Sequence, residues 1–175
     1  MQAMTRSNRT SGSSAGRPVV AGIGISNADR ILYPESGLTK RRVAEYYDRI
    51  ARWIVPHVAG RPLRLVRCPE GLRGGCFYMK HSKVWAEALR RVQIQEKTKV
   101  GEYLIADDIA GVVSLVQMGI LEIHTWNTRY ERIELPDRIV FDLDPGSQVT
   151  WPAVVEGARL VRRLLAKAAL DSFPK

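Results

Sequence analysis

Apolar and polar positions change period several times along this chain, and each change marks an element. After a leader without apolar periodicity, residues 23–25 read as a short strand, and residues 26–40 form a loop rich in turn formers. Thr39 is placed to cap a helix in which Val43, Tyr47, Ile50 and Ile54 recur at helical spacing, with Pro56 closing it. The period then drops to two. Residues 63–67 alternate as Leu-Arg-Leu-Val-Arg, residues 69–75 form a glycine-rich turn, and residues 75–80 form a second strand, giving a hairpin-like unit. One helical turn is expected over 85–89, a strand over 92–95, a charged turn over 96–101 and a strand over 103–105. A helix beginning at Asp107 or Asp108 carries Ile109, Val112, Val113 and Val116 on one face and ends at Gly119. Residues 120–124 then read as a strand that delivers His124 and Trp126. Ile139, Val140 and Phe141 read as a buried strand stopped by Pro145-Gly146. In the last helix Thr150 is the cap, Pro152 lies in the first turn, and Val154, Ala158, Val161, Leu164 and Leu165 form the buried face.

Composition narrows the class. A chain of 175 residues suits one domain with a real core, and no apolar run approaches the roughly 20 residues of a membrane span. Its 27 Lys and Arg against 18 Asp and Glu leave a formal charge of +9, which favours a polyanionic partner, most simply nucleic acid. Residues 1–18 are basic, rich in Ser, Thr and Gly, and read as a disordered tail without a signal-peptide core, so the expected compartment is the cytoplasm. In that compartment Cys68 and Cys76 are expected as reduced thiols, and their spacing with His81 does not fit common zinc motifs.

The chemistry concentrates near the end of the chain. If residues 139–144 are extended, Asp142 and Asp144 project to one side with Cα atoms roughly 6.5 to 7 Å apart, where Mg²⁺ or Mn²⁺ with substrate phosphates would relieve their repulsion. The bland alternative is a strand end with two solvated aspartates. Lys40, Arg41 and Arg42 oppose the dipole of the first helix, a cost that a bound anion would reverse, so Lys40 is either a phosphate contact or part of a solvated basic turn. Of the adjacent aromatics Phe77 and Tyr78, one is expected in the core and the other as a stacking platform for a base. His124 is either an ordinary strand-end histidine or a donor to a triphosphate oxygen.

Several motifs occur here in a single order: Ser26-Asn-x-Asp-Arg-x-Leu-Tyr-Pro, Gly-x-Thr-Lys40, Tyr46-Tyr47, Pro56-His57-x-x-Gly60-Arg-Pro62, Arg67-x-Pro-x-Gly71, Phe77-Tyr-x-Lys80, Glu122-Ile-His-x-Trp126 and Phe141-Asp-Leu-Asp-Pro-Gly146. Together they resemble the polymerase domain of bacterial ATP-dependent DNA ligase D, a non-homologous end-joining polymerase of the archaeo-eukaryotic primase superfamily. The resemblance covers residues 25–174. It implies an α+β fold, a primase-polymerase-like mixed or antiparallel sheet with flanking helices over residues 19–175. It also implies a function, metal-dependent addition of NTP or dNTP to a DNA 3′ end during double-strand-break repair.

Residue by residue, the resemblance gives Asp142 and Asp144 to catalytic metal, Mn²⁺ or Mg²⁺ in a two-metal site, and His124 to the triphosphate. Arg30 and Lys40 fall to a DNA 5′-phosphate, and Phe77, Tyr78 and Lys80 to the template. Arg30 stands where many relatives have lysine, which keeps the charge and swaps a point ammonium for a fork. Relatives continue past the segment matching Phe173-Pro174 with a triphosphate-binding turn, further strands and a third metal-binding aspartate. Here the sequence stops at Lys175, so the domain is expected to be C-terminally truncated relative to the family and its metal site incomplete. Implied partners are DNA with 5′-phosphorylated ends or gaps, NTP or dNTP, a Ku-like end-binding protein and a DNA ligase. The alternative reading is a non-catalytic DNA-binding module that recognises 5′-phosphorylated ends.

Overall fold

The computed structural model describes residues 16–81 and 86–174. The expected tail therefore lies almost wholly outside the described residues; of the expected helical turn over 85–89 only Trp85 lies outside them, and Ala86 to Leu89 form a tight turn, not a helical one, closed by a hydrogen bond from Leu89 N to the Ala86 carbonyl. The chain divides into two compact units, one ending at Asp137 and the other beginning at Arg138. No helix among the described residues is long and apolar enough to cross a membrane.

The first unit is built around a helix with almost no polar side. α3 (Ile109–Gln117) buries Val112, Val113, Leu115 and Val116 completely, as a helix that is apolar nearly all round must. Asp108 caps it, accepting from Gly111 N at 2.8 Å. Val113 and Val116 face one core with Val20, Ile25, Leu32, Val43 and Ala44. Val112 and Leu115 face a second core with Leu63, Leu65, Met79 and Leu104. The first core joins the small hairpins β1 (Val19–Val20) with β2 (Ile23–Gly24) and β3 (Ile31–Tyr33) with β4 (Leu38–Thr39) to α1 (Lys40–Arg49). The turn-rich stretch before Lys40 is therefore itself a hairpin, which turn residues alone could not distinguish from a loop.

Thr39 caps α1 as expected, accepting from Arg42 N at 3.4 Å. Pro56, in contrast, lies inside α2 (Ala51–Val58), and the break falls at Ile50, whose backbone leaves the helical region. The second core packs beneath a three-stranded sheet in the order β6 (Phe77–Met79), β5 (Leu63–Arg67), β9 (Ile120–Thr125). A further hairpin, β7 (Arg90–Gln95) with β8 (Val100–Ile105), turns Val92, Ile94, Tyr103 and Ile105 onto Trp126, Tyr130 and Ile133. Every strand pairing is antiparallel, and with the four α-helices among the described residues this is the expected α+β class.

The two cysteines correct the sequence reading. Arg67 pairs with Phe77 across β5 and β6, so Cys68 and Cys76 occupy the next rung, with Cα atoms 4.3 Å apart, and close a disulfide around the intervening loop. With both sulfurs committed to that bond, no thiolate pair remains for zinc.

The second unit departs further from expectation. Residues 138–146 are not a strand: no segment among the described residues pairs with them, and Ile139, Val140, Phe141 and Leu143 are exposed. A strand is defined by its neighbour, and an apolar run specifies burial without supplying one. α4 (Trp151–Lys167) forms as expected, with Pro152 in its first turn, yet Thr150 makes no side-chain cap bond and the helix buries no residue. On its expected buried face Val154, Val161 and Leu165 are half-buried, whereas Ala158 and Leu164 are exposed.

Candidate nucleotide and DNA interface

The sheet β6-β5-β9 has one dry face, and its other face is open except at Val66, which is buried in the first core. Alternation sends Leu63, Leu65, Met79 and Ile123 toward the core, which leaves Arg64, Tyr78, Lys80, Glu122 and His124 exposed. Register brings them together. Arg64 pairs with His124, Val66 pairs with both Tyr78 and Glu122, and Lys80 follows Met79, the partner of Leu65.

Tyr78 is 79% exposed, and its ring lies 6.4 Å from the His124 ring at an interplanar angle of 43°. Phe77 is also exposed, so neither adjacent aromatic is core; Met79, the next residue, takes the buried position instead. His124 Nε2 is 2.9 Å from a Glu122 carboxylate oxygen two residues away on the same strand. Lys80 Nζ donates to Glu96 at 3.0 Å, and Tyr103 donates its hydroxyl to the other oxygen of that carboxylate at 2.7 Å. These two donors hold the Glu96 carboxyl below its usual range, while burial, followed by the Glu96 contact, pushes the Tyr103 phenol up to about 12. Gly101 faces the same cluster because a Cβ there would run into the His81 ring and the Glu96 carboxylate. The β7–β8 hairpin thus fixes the position of a cation on the open sheet.

A second cluster forms where the loop before α1 meets the loop after β5. Arg30 and Lys40, ten residues apart in sequence, are brought together by backbone bonds from Lys40 N to the Arg30 carbonyl at 2.8 Å and from Arg41 N to the Ala28 carbonyl at 2.9 Å. Ser26 is tied to the end of α3 by reciprocal bonds with the Gln117 amide at 3.0 and 2.6 Å. Lys40 is only 7% exposed, and burial, then the Arg30 and Arg67 charges, hold its ammonium below the ordinary lysine range. Arg30 donates to the Pro69 carbonyl at 2.6 Å and to Glu70 at 2.8 Å.

Arg67 is the member that sequence reasoning missed. It lies within a recognised motif, but only the fold reveals that the end of β5 approaches the first turn of α1. Two guanidiniums beside one buried ammonium, at a helix N-terminus, form an anion-binding arrangement.

Asp142 and Asp144 are exposed in the extended stretch of the second unit, before a turn at Ser147-Gln148 closed by Val149 N donating to the Gly146 carbonyl at 3.0 Å. No strand ladder fixes which way the two carboxylates face. Among the described residues no group of three His, Cys, Asp or Glu is placed to hold a metal. The other acids have structural partners. Asp108 is a cap, Asp107 accepts from Gly60 N and from Arg90, and Asp137 is paired at 2.7 Å with Arg61, whose side chain is almost fully buried. The Arg90 and Arg61 bonds hold the Asp107 and Asp137 carboxyls below the usual range.

Comparison with known proteins agrees with this architecture. Residues 39–175 match the model of the LigD primase-polymerase domain. The chain is 37% identical over 153 residues to the multifunctional non-homologous end joining protein LigD of Mycolicibacterium smegmatis, covering 86% of this chain and 20% of that protein. It is 33% identical over 172 residues to the LigD protein of Pseudomonas aeruginosa, covering 97% of this chain and again 20% of the relative. It thus spans about a fifth of the length of these relatives. Among solved structures, the polymerase domain of Mycobacterium tuberculosis ligase D in complex with DNA superposes with a TM-score of 0.68 at 28% identity, covering 83% of this chain and 54% of that one. Motif order, fold and similarity over most of the chain converge: it belongs to the LigD primase-polymerase domain family.

Proposed function

We propose that this chain serves a DNA end-joining polymerase, a primase-type nucleotidyltransferase that adds NTP or dNTP to a DNA 3′ end in double-strand-break repair. The observation that carries the reading is the open sheet face, where an exposed tyrosine, a lysine held by Glu96 and a histidine stand side by side in a chain of this family. Tyr78 and Phe77 stack on template bases, and Lys80 neutralises template phosphate. His124 donates an N–H to the triphosphate. Arg30 and Lys40, with Arg67 beside them, grip the 5′-phosphate of the downstream strand, which sets the distance from that end to the primer terminus.

Asp142 and Asp144 suit a hard divalent ion. Two carboxylates separated by one residue, both exposed, offer the oxygen donors that Mg²⁺ or Mn²⁺ takes when it completes its shell with water and substrate phosphate. Such an ion, when bound, supplies charge neutralisation at the α-phosphate and activation of the 3′-hydroxyl. Within that chemistry the chain's own task is alignment. The sheet face fixes template and triphosphate, and the cation cluster fixes the far side of the gap. A Ku-like end-binding protein and a DNA ligase are the partners that such a step calls for.

The deciding experiment is primer extension on gapped DNA bearing a 5′-phosphate, with Mn²⁺ and NTPs, beside Asp142→Ala/Asp144→Ala. Extension that disappears in the double variant is the expected result. Extension that is unchanged in it overturns the reading, and phosphate-dependent DNA binding without any extension favours a pure end-recognition module.

A further inference from the structure

Arg64 has no role in the reading above, yet it lies at the centre of the open face. It is on the middle strand, its Cα is paired directly with that of His124, and its side chain is exposed while those of Leu63 and Leu65 on either side are buried. Directly opposed cross-strand residues place their Cβ atoms about 5 Å apart, so guanidinium and imidazole can reach one ligand atom group. Arg64 and His124 line a shallow recess together with Thr125, Trp126 and Asn127.

Arg64 presents an exposed guanidinium fork with several N–H donors. Its neighbours on the face are Lys80 beyond Met79 on one side and the Glu122–His124 pair, 2.9 Å apart, on the other. Arg64 forms no ion pair with a carboxylate among the described residues, unlike Arg30, Arg61, Arg90 and Arg91. A shallow recess lined by a forked cation and an imidazole suits an anion with several oxygens.

We propose that Arg64 is a phosphate-binding residue of the nucleotide site, acting with His124 on the triphosphate of the incoming nucleotide. The proposal rests on the assignment of His124 to that triphosphate. It predicts a residue whose loss weakens nucleotide binding while leaving recognition of a DNA 5′-phosphate intact.

The test titrates a fluorescent ATP analogue with Mn²⁺, and separately a 5′-phosphorylated duplex, against the unchanged chain, Arg64→Ala, Arg64→Lys and His124→Ala. Thermal melting confirms that each variant is folded. Arg64→Ala is expected to weaken nucleotide binding roughly tenfold, the loss of one charge-assisted contact, with Arg64→Lys intermediate and the DNA titration shifted less than about twofold. Weakening by His124→Ala but not by Arg64→Ala overturns this inference alone. A loss confined to the DNA titration assigns Arg64 to a nucleic-acid phosphate and also overturns it. No effect of His124→Ala, or no nucleotide binding by the unchanged chain, overturns the triphosphate reading and this inference with it.

Discussion

Lys40 carries its ammonium where charge is disfavoured, buried in the first turn of α1 with Arg30 and Arg67 as neighbours. Its folded pKa lies below the ordinary lysine value, so on raising pH the folded chain releases this proton before the unfolded chain does. The sign follows: this site makes stability rise with pH between the lowered pKa and 10.5, and the charged form is the destabilising one. Chemical denaturation from about pH 8 upward should show that increment in the unchanged chain relative to Lys40→Met, in which it is absent. A bound phosphate reverses the penalty, so affinity for a 5′-phosphate should fall with rising pH earlier than an ordinary lysine would dictate. Glu70 presents the opposite case. Its carboxylate occupies the Arg30 fork at 2.8 Å and repels an incoming phosphate. Glu70→Gln is expected to tighten binding of 5′-phosphorylated DNA about threefold, with stability changed by no more than about 0.5 kcal/mol because the pair is exposed. A fluorescence-anisotropy titration comparing phosphorylated and hydroxyl ends reads the first effect, and a urea melt reads the second.

Among the elements, the β5–β6 hairpin does the most for its length. Its register brings Cys68 opposite Cys76, and the closed loop carries both groups that hold Arg30, the Pro69 carbonyl and the Glu70 carboxylate. Gly71 in that loop has φ +80°, and a Cβ there would meet the Ile31 carbonyl oxygen at 2.7 Å, so the loop rests directly on the backbone next to Arg30. Closing so short a loop is worth about 2.5 kcal/mol in the chain-entropy model. Cys76→Ser should therefore lose about that much stability in a non-reducing denaturant melt, and the difference should vanish when a reductant is added to both proteins.

The hairpin itself was legible in alternation and glycine content. The disulfide was not, because compartment argued for thiols and only register reveals which cysteine faces which. The same reasoning separates α3 from α4. For α3, cap, apolar face and terminal glycine all agreed with one buried helix, and its partners lie within the same unit. For residues 139–143 and α4, periodicity indicated which side should be covered but nothing about what covers it. Phe77 and Tyr78 fall between these cases: alternation placed them on opposite faces, but the end of a short strand leaves both in solvent.

For the molecule as a whole, the +9 charge is unevenly used. Arg61, Arg90 and Arg91 are occupied by Asp137, Asp107 and Glu102, so they contribute little to a distant polyanion, whereas the Arg30–Lys40–Arg67 cluster, with Glu70 as its one paired acid, remains net cationic. DNA binding should accordingly weaken steeply with salt. Arg30→Ala should reduce the slope of log affinity against log salt by about 0.7 to 0.9, one phosphate contact, if the end phosphate is its ligand. Measuring the slope on phosphorylated and unphosphorylated ends checks this, since the change should appear only with the former. Site residues were legible to different depths at this scale. His124, Lys80 and the two aspartates stand out by type and position, while Arg67 becomes visible only when loops distant in sequence meet.

The open sheet face also bears on what kind of information the protein can take from a strand laid across it. Its described surface offers the plane of Tyr78 and the charges of Lys80, Arg64 and His124, with Glu122 as its acidic member. A ring plane accepts any base, and cations accept any phosphate, so such a surface carries no pattern that tells one letter from another. Broken ends of arbitrary sequence would be held equally well, and the choice of which nucleotide enters would be left to pairing with the template.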